Sequence, residues 1–374
     1  MPVLSRETIR NAFDDLLSQS HDRPTYQTYT SGSTGQPLKI IRDAEAAAWY
    51  WASEYRGREW HGWNVGDKYG FFWGIPRDSI GKKRELLKDP LLNRIRFSAN
   101  EIPEKQARSF YQKCMRFKPE YFWGYPSSIY DFARVITTLR LDGKALDVKL
   151  IKSSAEMLHE FQKEFLEATF DCKVYNDYGA CELGHVAFEC PQGRMHLSIE
   201  NCCIEILDNN DRPVDDGKIG KVVLTNLVNF AMPLIRYEIG DMASLSTENC
   251  PCGMSLPLIK NIKGRSIDRV IDENGNVMGD HVLYYLIEDI ARKEKLDSVR
   301  QIKFIQRARN ELIVKIVKGT NFTDTITDFL TSEIHGILGP SFQIRFEFPD
   351  QIPVEESGKF RYFISELSLD NHNT

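Results

Sequence analysis

With 374 residues, 42% of them apolar, and a formal charge of −5, the chain is long enough for roughly two to three domains and carries no basic tract to serve as a nucleic-acid footprint. Its polar start, with Arg6, Glu7, Asp14 and Asp15, lacks the apolar core of a signal peptide, and no later run reaches membrane-spanning length. A cytoplasmic protein acting on small molecules is expected, with its eight cysteines as buried thiols or metal ligands and not disulfides.

In chain order, Ile9, Phe13, Leu16 and Leu17 have helical spacing within 1–21, and a strand is expected at Tyr26-Gln27-Thr28-Tyr29. A Gly/Ser/Thr loop follows, then a helix over 43–60, a short aromatic strand over 68–73, a helix over 109–117 and a strand at Tyr121-Phe122-Trp123. This alternation predicts a large layered α/β body. Further on, strands are expected over 221–227 and 234–237, with a turn at Cys250-Pro251-Cys252-Gly253. After Arg265 the order becomes strand 269–271, turn 273–275, helix 282–293, hairpin 299–305 to 311–317, helix 323–338 and strand 342–348. That order reads as a small α+β C-terminal domain, so the expected division is 1–263 and 264–374.

The sharpest local signal is Thr30-Ser31-Gly32-Ser33-Thr34-Gly35-Gln36-Pro37-Leu38-Lys39. Its glycines let the backbone wrap an anion, and its hydroxyls and lysine supply donors. It is not a Walker loop, because Gln36 and Pro37 stand where a lysine and a hydroxyl residue would have to follow the last glycine. On composition alone a plain polar turn is an equal reading.

The order of motifs decides between the two. The loop at Thr30–Lys39, Tyr178-Gly179-Ala180-Cys181-Glu182, Arg236-Tyr237-Glu238-Ile239-Gly240-Asp241, Gly264-Arg265-Ser266-Ile267-Asp268 and Ser357-Gly358-Lys359 together resemble the adenylate-forming superfamily. The branch they resemble is that of phenylacetate-CoA ligase, coenzyme F390 synthetase and capsule-locus CapK proteins. The resemblance implies an AMP-forming ligase that uses ATP and Mg2+ to turn a carboxylic acid into an acyl-adenylate, then hands the acyl group to CoA. An amine, a hydroxyl or a carrier-protein arm is the alternative acceptor, and surface-polysaccharide assembly is the implied setting.

Carried over by position, Thr30, Ser31, Gly32, Ser33, Thr34, Gly35 and Lys39 would bind the β- and γ-phosphates, and Tyr178, between Asp177 and Gly179, would lie against adenine. Glu182 would hold magnesium, Asp241 the ribose hydroxyls, and Arg265 the ribose or phosphate, with Ala155-Glu156 beside the nucleotide. Lys359 would bridge the acyl carboxylate and the α-phosphate, where a fixed cation stabilises developing charge. A hinge is implied at Gly264–Asp268, with Ile267 in the place of the usual acid. Cys181 stands where relatives carry a hydroxyl that touches phosphate, and a thiol is the poorer donor. Pro2-Val3-Leu4-Ser5-Arg6 resembles the stretch just ahead of the phosphate loop, so the N-terminal helical region of relatives has no counterpart in this sequence. Cys181, Ile267 and that start motivate a rival reading as a nucleotide- or partner-binding homologue without turnover.

Cys190, His196, Cys250 and Cys252 form a second constellation, since three thiolates and an imidazole suit tetrahedral Zn2+ in a closed structural site; ordinary buried thiols are the other reading. Cys114, Cys172, Cys202 and Cys203 read as core residues, and His61 and His185 stay unassigned. The resemblance implies Phe71-Phe72-Trp73-Gly74 and Trp123-Gly124-Tyr125-Pro126-Ser127 around the acyl pocket, which would suit an aromatic or medium-sized apolar acid; core packing is an equal reading for any one of them. The expected partners are thus a small carboxylic acid, ATP, CoA or another acceptor, and a second copy of the chain as a homodimer, with no nucleic acid and no membrane span.

Overall fold

Strands rich in aromatic residues make the centre of the molecule. In the computed structural model, which describes residues 1–30, 38–74, 79–98, 104–265, 269–279, 281–294, 297–355 and 359–367, strands Lys173–Ala180, Leu150–Ser153, Tyr121–Gly124, Tyr69–Trp73 and Arg94–Ser98 lie side by side in parallel. Parallel neighbours need long crossovers, supplied by helices Ser79–Leu91, Glu104–Phe117, Pro126–Thr138 and Glu160–Phe170. Because side chains alternate across a strand, one face offers Phe72, Phe122, Ile151 and Val174 to these helices, where Phe110, Phe132, Leu166 and Phe170 complete an apolar core. The strands approach so closely that a Cβ on Gly124 would lie 2.1 Å from the Phe72 carbonyl oxygen.

The opposite face carries Phe71, Trp123, Lys152 and Asp177 and is covered by helix Ala44–Glu59. Asp43 caps that helix by accepting the Ala46 N–H at 2.7 Å. Past Ala180 the sheet turns antiparallel through Gly184–Glu189, Met195–Leu197, Leu258–Arg265, Tyr237–Ser246, Gly220–Asn226 and Cys202–Leu207, eleven strands in all. The layered α/β body is as expected, with three local differences. The strand expected over 234–237 begins only at Tyr237, because Arg236 adopts a left-handed φ of 52°. The helical spacing in the first 21 residues yields one short helix, Arg6–Asn11, and a single turn at Asp14–Leu16. Cys203 is exposed, since strand alternation turns it away from the buried Cys202.

Leu258–Arg265 is the last strand of the large sheet, and the next strand, Arg269–Ile271, pairs with Val277–Gly279. Ser266, Ile267 and Asp268 fall outside the described residues. The remainder is a small α+β domain: hairpin Val299–Ala308 and Glu311–Lys318, flanked by parallel strands Phe363–Ser365 and Gln343–Glu347, with helices His281–Lys293 and Thr325–Leu338. Phe161 of the large domain is buried in the small domain's core. Arg134 donates to the carbonyls of Val299 and Arg300 at 2.6 and 2.7 Å.

His159 also sits at this junction, buried against Phe161, Tyr284 and Tyr362. Burial holds its pKa down to about 4. A histidine whose folded pKa lies below its unfolded value gives the fold full support above the unfolded value, and that support is lost as pH falls through the window between them. Between pH 7 and pH 5 the loss amounts to about 2 kcal/mol. The urea midpoint should therefore drop over this range, and His159→Asn, which keeps an N-cap residue without the titration, should flatten the drop. An unchanged pH slope in the variant would remove His159 as its source.

Candidate active site and Cys/His cluster

The strand ends at one edge of the large sheet gather several of the expected residues. Tyr178 donates its hydroxyl to Asp241 Oδ2 at 2.8 Å. Asp241 sits at a register break, just after Gly240 at a φ of 90°. The turn after Tyr178 is tight enough to demand small residues: a Cβ on Gly179 would lie 2.8 Å from the Gly184 carbonyl oxygen, and Gly184 has a φ of 77° with the Tyr50 ring packed against it. Arg42 donates to the Cys181 carbonyl from across this turn.

Glu182 is buried, and Tyr237 and Arg6 both donate to its Oε1, at 3.0 and 3.1 Å. A divalent cation at Glu182 would therefore share the carboxylate with a guanidinium. Arg6 is a site residue that motif reading missed. It is placed by strand-like pairing of Leu4, whose N–H donates to the Arg236 carbonyl and whose carbonyl accepts from Glu238, and no signal in the sequence announces that pairing.

Lys359 comes from the small domain, and its ammonium is near enough to favour the ionised forms of both Cys181 and Glu156. Cys181 itself lies 3.6 Å from the Thr28 hydroxyl and 3.3 Å from the Tyr29 carbonyl oxygen. Thr30 uses its hydroxyl to accept the Leu38 N–H at 2.9 Å, and the Lys39 ammonium lies 4.9 Å over the Phe13 ring. Ser31, Gly32, Ser33, Thr34 and Gly35 lie outside the described residues, and so does the side chain of Arg265.

One of the residues expected at the nucleotide turns elsewhere. The Asp177 carboxylate faces the interior and pairs with Lys152 at 2.9 Å and His185 at 3.3 Å. This follows from alternation along the strand, which sends neighbours such as Asp177 and Tyr178 to opposite faces. Ala155 adopts a left-handed φ of 68°, and Glu156 accepts the N–H groups of Ser127 and Phe360. The aromatic stretches do assemble: Trp73 stacks on Tyr125 with ring centroids 4.3 Å apart, and Trp123 packs on Phe71. Their wall is not purely apolar, because the Arg58 guanidinium lies 4.3 Å over both Trp63 and Trp123, with Lys152 5.0 Å from Trp123.

The ligand atoms of Cys190, His196, Cys250 and Cys252 lie within 4.8 Å of one another. Cys190 and Cys250 sulfurs are 3.7 Å apart, and Cys252 Sγ is 3.3 Å from His196 Nε2. His196 Nδ1 lies 2.9 Å from the Leu256 carbonyl oxygen, a contact that puts the proton on Nδ1 and turns Nε2 toward the sulfurs. Burial raises the Cys250 thiol, but the Cys252 amide, with Cys252, His196 and Cys190 around it, brings it down to about 7. The cysteines sit in twin turns, Cys190-Pro191-Gln192-Gly193 and Cys250-Pro251-Cys252-Gly253, each closed by a glycine N–H on the first cysteine's carbonyl and each with that glycine at positive φ. The repeated Cys-Pro-x-Gly was the available signal for two matching knuckles. The donor set and its spacing fit a tetrahedral zinc ion.

A large α/β domain with a small α+β domain closing a lysine over its strand ends is the architecture of the adenylate-forming enzymes. Residues 274–366 match the family model of the CapK C-terminal domain. The chain is 23% identical over 373 residues to Protein CapK of Staphylococcus aureus, covering 98% of this chain and 80% of CapK. It is 25% identical over 266 residues to phenylacetate-coenzyme A ligase of Thermus thermophilus, covering 66% of this chain and 60% of that ligase. Among solved structures, 2-hydroxyisobutyryl-CoA ligase in its postadenylation state superposes with a TM-score of 0.75 at 18% identity, over 98% of this chain and 80% of that one. In its thioesterification state the same enzyme gives 0.57. The chain thus has the fold of the adenylate-forming CoA ligases, and in sequence it is similar to CapK and phenylacetate-CoA ligase.

Proposed function

We propose that this chain activates a carboxylic acid with ATP and passes the acyl group to the thiol of CoA. A carboxylate oxygen attacks the α-phosphorus and pyrophosphate leaves; the thiol then attacks the acyl carbonyl and AMP leaves. The observation that carries this reading is the convergence of Lys359, Cys181–Glu182 and the Tyr178–Asp241 pair at one edge of the sheet. Asp241 suits a ribose diol, Tyr178 an adenine face, and the glycine–hydroxyl loop a polyphosphate. Glu182 would hold magnesium, which neutralises phosphate charge when bound. The chain's own contribution is positioning and fixed charge. Residues 1–263 would carry ATP and acid, and 264–374 would move as a unit about the hinge at 264–268, in the cytoplasm. The likeness to CapK supports a role in surface-polysaccharide assembly.

ATP–pyrophosphate exchange over a panel of aromatic, aliphatic and hydroxylated acids tests the first step. Absence of exchange with every acid would overturn the reading in favour of a binding protein without turnover. Product analysis with and without CoA then separates a thioester from an amide or ester.

For the Cys/His cluster we propose structural zinc held by Cys190, His196, Cys250 and Cys252. Metal analysis of the purified chain is expected to give about one zinc per chain. Cys250→Ser should lose most of it and unfold at lower urea, whereas full retention of metal in that variant would remove the assignment.

A further inference from the structure

The turn after strand Leu150–Ser153 is built to aim one carboxylate at two domains. Ser154 continues the strand pairing, with its N–H on the Gly124 carbonyl at 3.0 Å. Ala155 then takes a left-handed φ of 68°, a conformation that strains a non-glycine residue. The strained turn swings Glu156 onto the start of helix Pro126–Thr138, where the first N–H groups have no partner within the helix and the helix dipole favours a negative charge. Oε2 of Glu156 accepts the Ser127 N–H at 3.3 Å, and Oε1 accepts the Phe360 N–H of the small domain at 2.7 Å.

That second bond falls on the peptide unit that joins Lys359 to Phe360. The carbonyl of the same unit, on Lys359, accepts the Glu355 N–H at 2.9 Å. One peptide plane is therefore held at both ends, by its own turn on one side and by the large domain on the other. The direction in which the Lys359 side chain leaves the backbone depends on that plane. Removal from solvent pushes the Glu156 carboxyl up to about 7, against the pull of Ser127, Phe360 and Lys359. The contact is thus made at a cost that the architecture retains.

We propose that Glu156 is a positioning residue for Lys359: it docks the lysine-bearing turn of the small domain on the large domain and sets the lysine's direction in the closed state. The proposal rests on the adenylation reading for its kinetic consequence but not for its structural one. It assigns Glu156 to the domain junction in place of the nucleotide.

The test uses the full chain and two variants, Glu156→Ala, which loses both acceptors, and Glu156→Gln, which keeps one oxygen for the Phe360 N–H. Hydrogen exchange of the segment containing Phe360 is expected to speed up at least tenfold in Glu156→Ala and to stay within a few-fold of the parent in Glu156→Gln, with helix Thr325–Leu338 unchanged as the folding control. In ATP–pyrophosphate exchange, Glu156→Ala should lose about 10- to 100-fold in kcat with the KM for ATP nearly constant. Unchanged protection at Phe360 in Glu156→Ala would overturn the proposal, and so would a raised KM for ATP at constant kcat, which would return Glu156 to the nucleotide. If the parent chain shows no exchange with any acid, the adenylation reading fails, and Phe360 protection alone still decides the role of Glu156.

Discussion

Lys359→Ala should lower ATP–pyrophosphate exchange by about two to three orders of magnitude, measured with whichever acid supports the parent reaction. The attack of carboxylate on the α-phosphate brings two anions together, and the transition state concentrates charge on the oxygens between them. A cation fixed there acts without reorganisation at the moment of reaction. Lys359 comes from the small domain and lies near Cys181 and Glu156, where it would meet that charge. The KM for ATP should change much less than kcat, because the loop, Tyr178 and Asp241, which we propose hold the nucleotide, are untouched. Lys359→Arg should recover only part of the rate, since a planar guanidinium keeps the charge but spreads it over a different reach. A parent-like rate in Lys359→Ala, with an unaltered unfolding midpoint, would sink the catalytic assignment.

How much of this was legible beforehand depends on whether a residue's role is local. The layered α/β body, the hairpin 299–317 and the two helices of the small domain were legible from periodicity, because their cores obey it, whereas the parallel order of the strands was not. Motifs gave Tyr178, Glu182, Asp241 and Lys359 their place in the order of the chain, and the structure gathers them at one edge. Donor chemistry, three thiols and an imidazole, proposed Cys190, His196, Cys250 and Cys252, and their ligand atoms do meet. Two of the failures are long-range. Arg6 reaches Glu182 across 176 positions, and Glu156 reaches Phe360 across 204, contacts that no local pattern encodes. Asp177 was assigned by its neighbours in sequence, and strand alternation overruled them. The strand expected at 234 was displaced because Arg236 takes a turn conformation that an apolar run does not reveal.

The largest stability effect should come from Lys152, which is fully buried on the face covered by helix Ala44–Glu59. Its ammonium lies 2.6 Å from Glu54 Oε1 and 2.9 Å from Asp177 Oδ2; Arg58 reaches Glu54 at 2.6 Å, and His185 lies within 3.3 Å of both carboxylates. Burial would raise Glu54, but Lys152, Arg58 and His185 outweigh it and hold the carboxyl well below the usual range. Lys152→Met fills the space and leaves two carboxylates sharing less positive charge than the interior requires. The expected cost is roughly 3 to 5 kcal/mol in urea unfolding at neutral pH. The sign of its pH dependence is specific: acids deprived of their cation rise in pKa, so the deficit should shrink as pH falls and the carboxyls take up protons. Adding Glu54→Gln should restore part of the loss, making the double variant more stable than the sum of the single changes predicts. A cost below about 1 kcal/mol, the range of an exposed pair, would show that the network contributes little. The consequence reaches function through Asp177, which precedes Tyr178 on the same strand. A network that anchors Asp177 in the interior holds Tyr178 on the opposite face, toward Asp241, so loss of Lys152 should weaken nucleotide binding before it unfolds the chain.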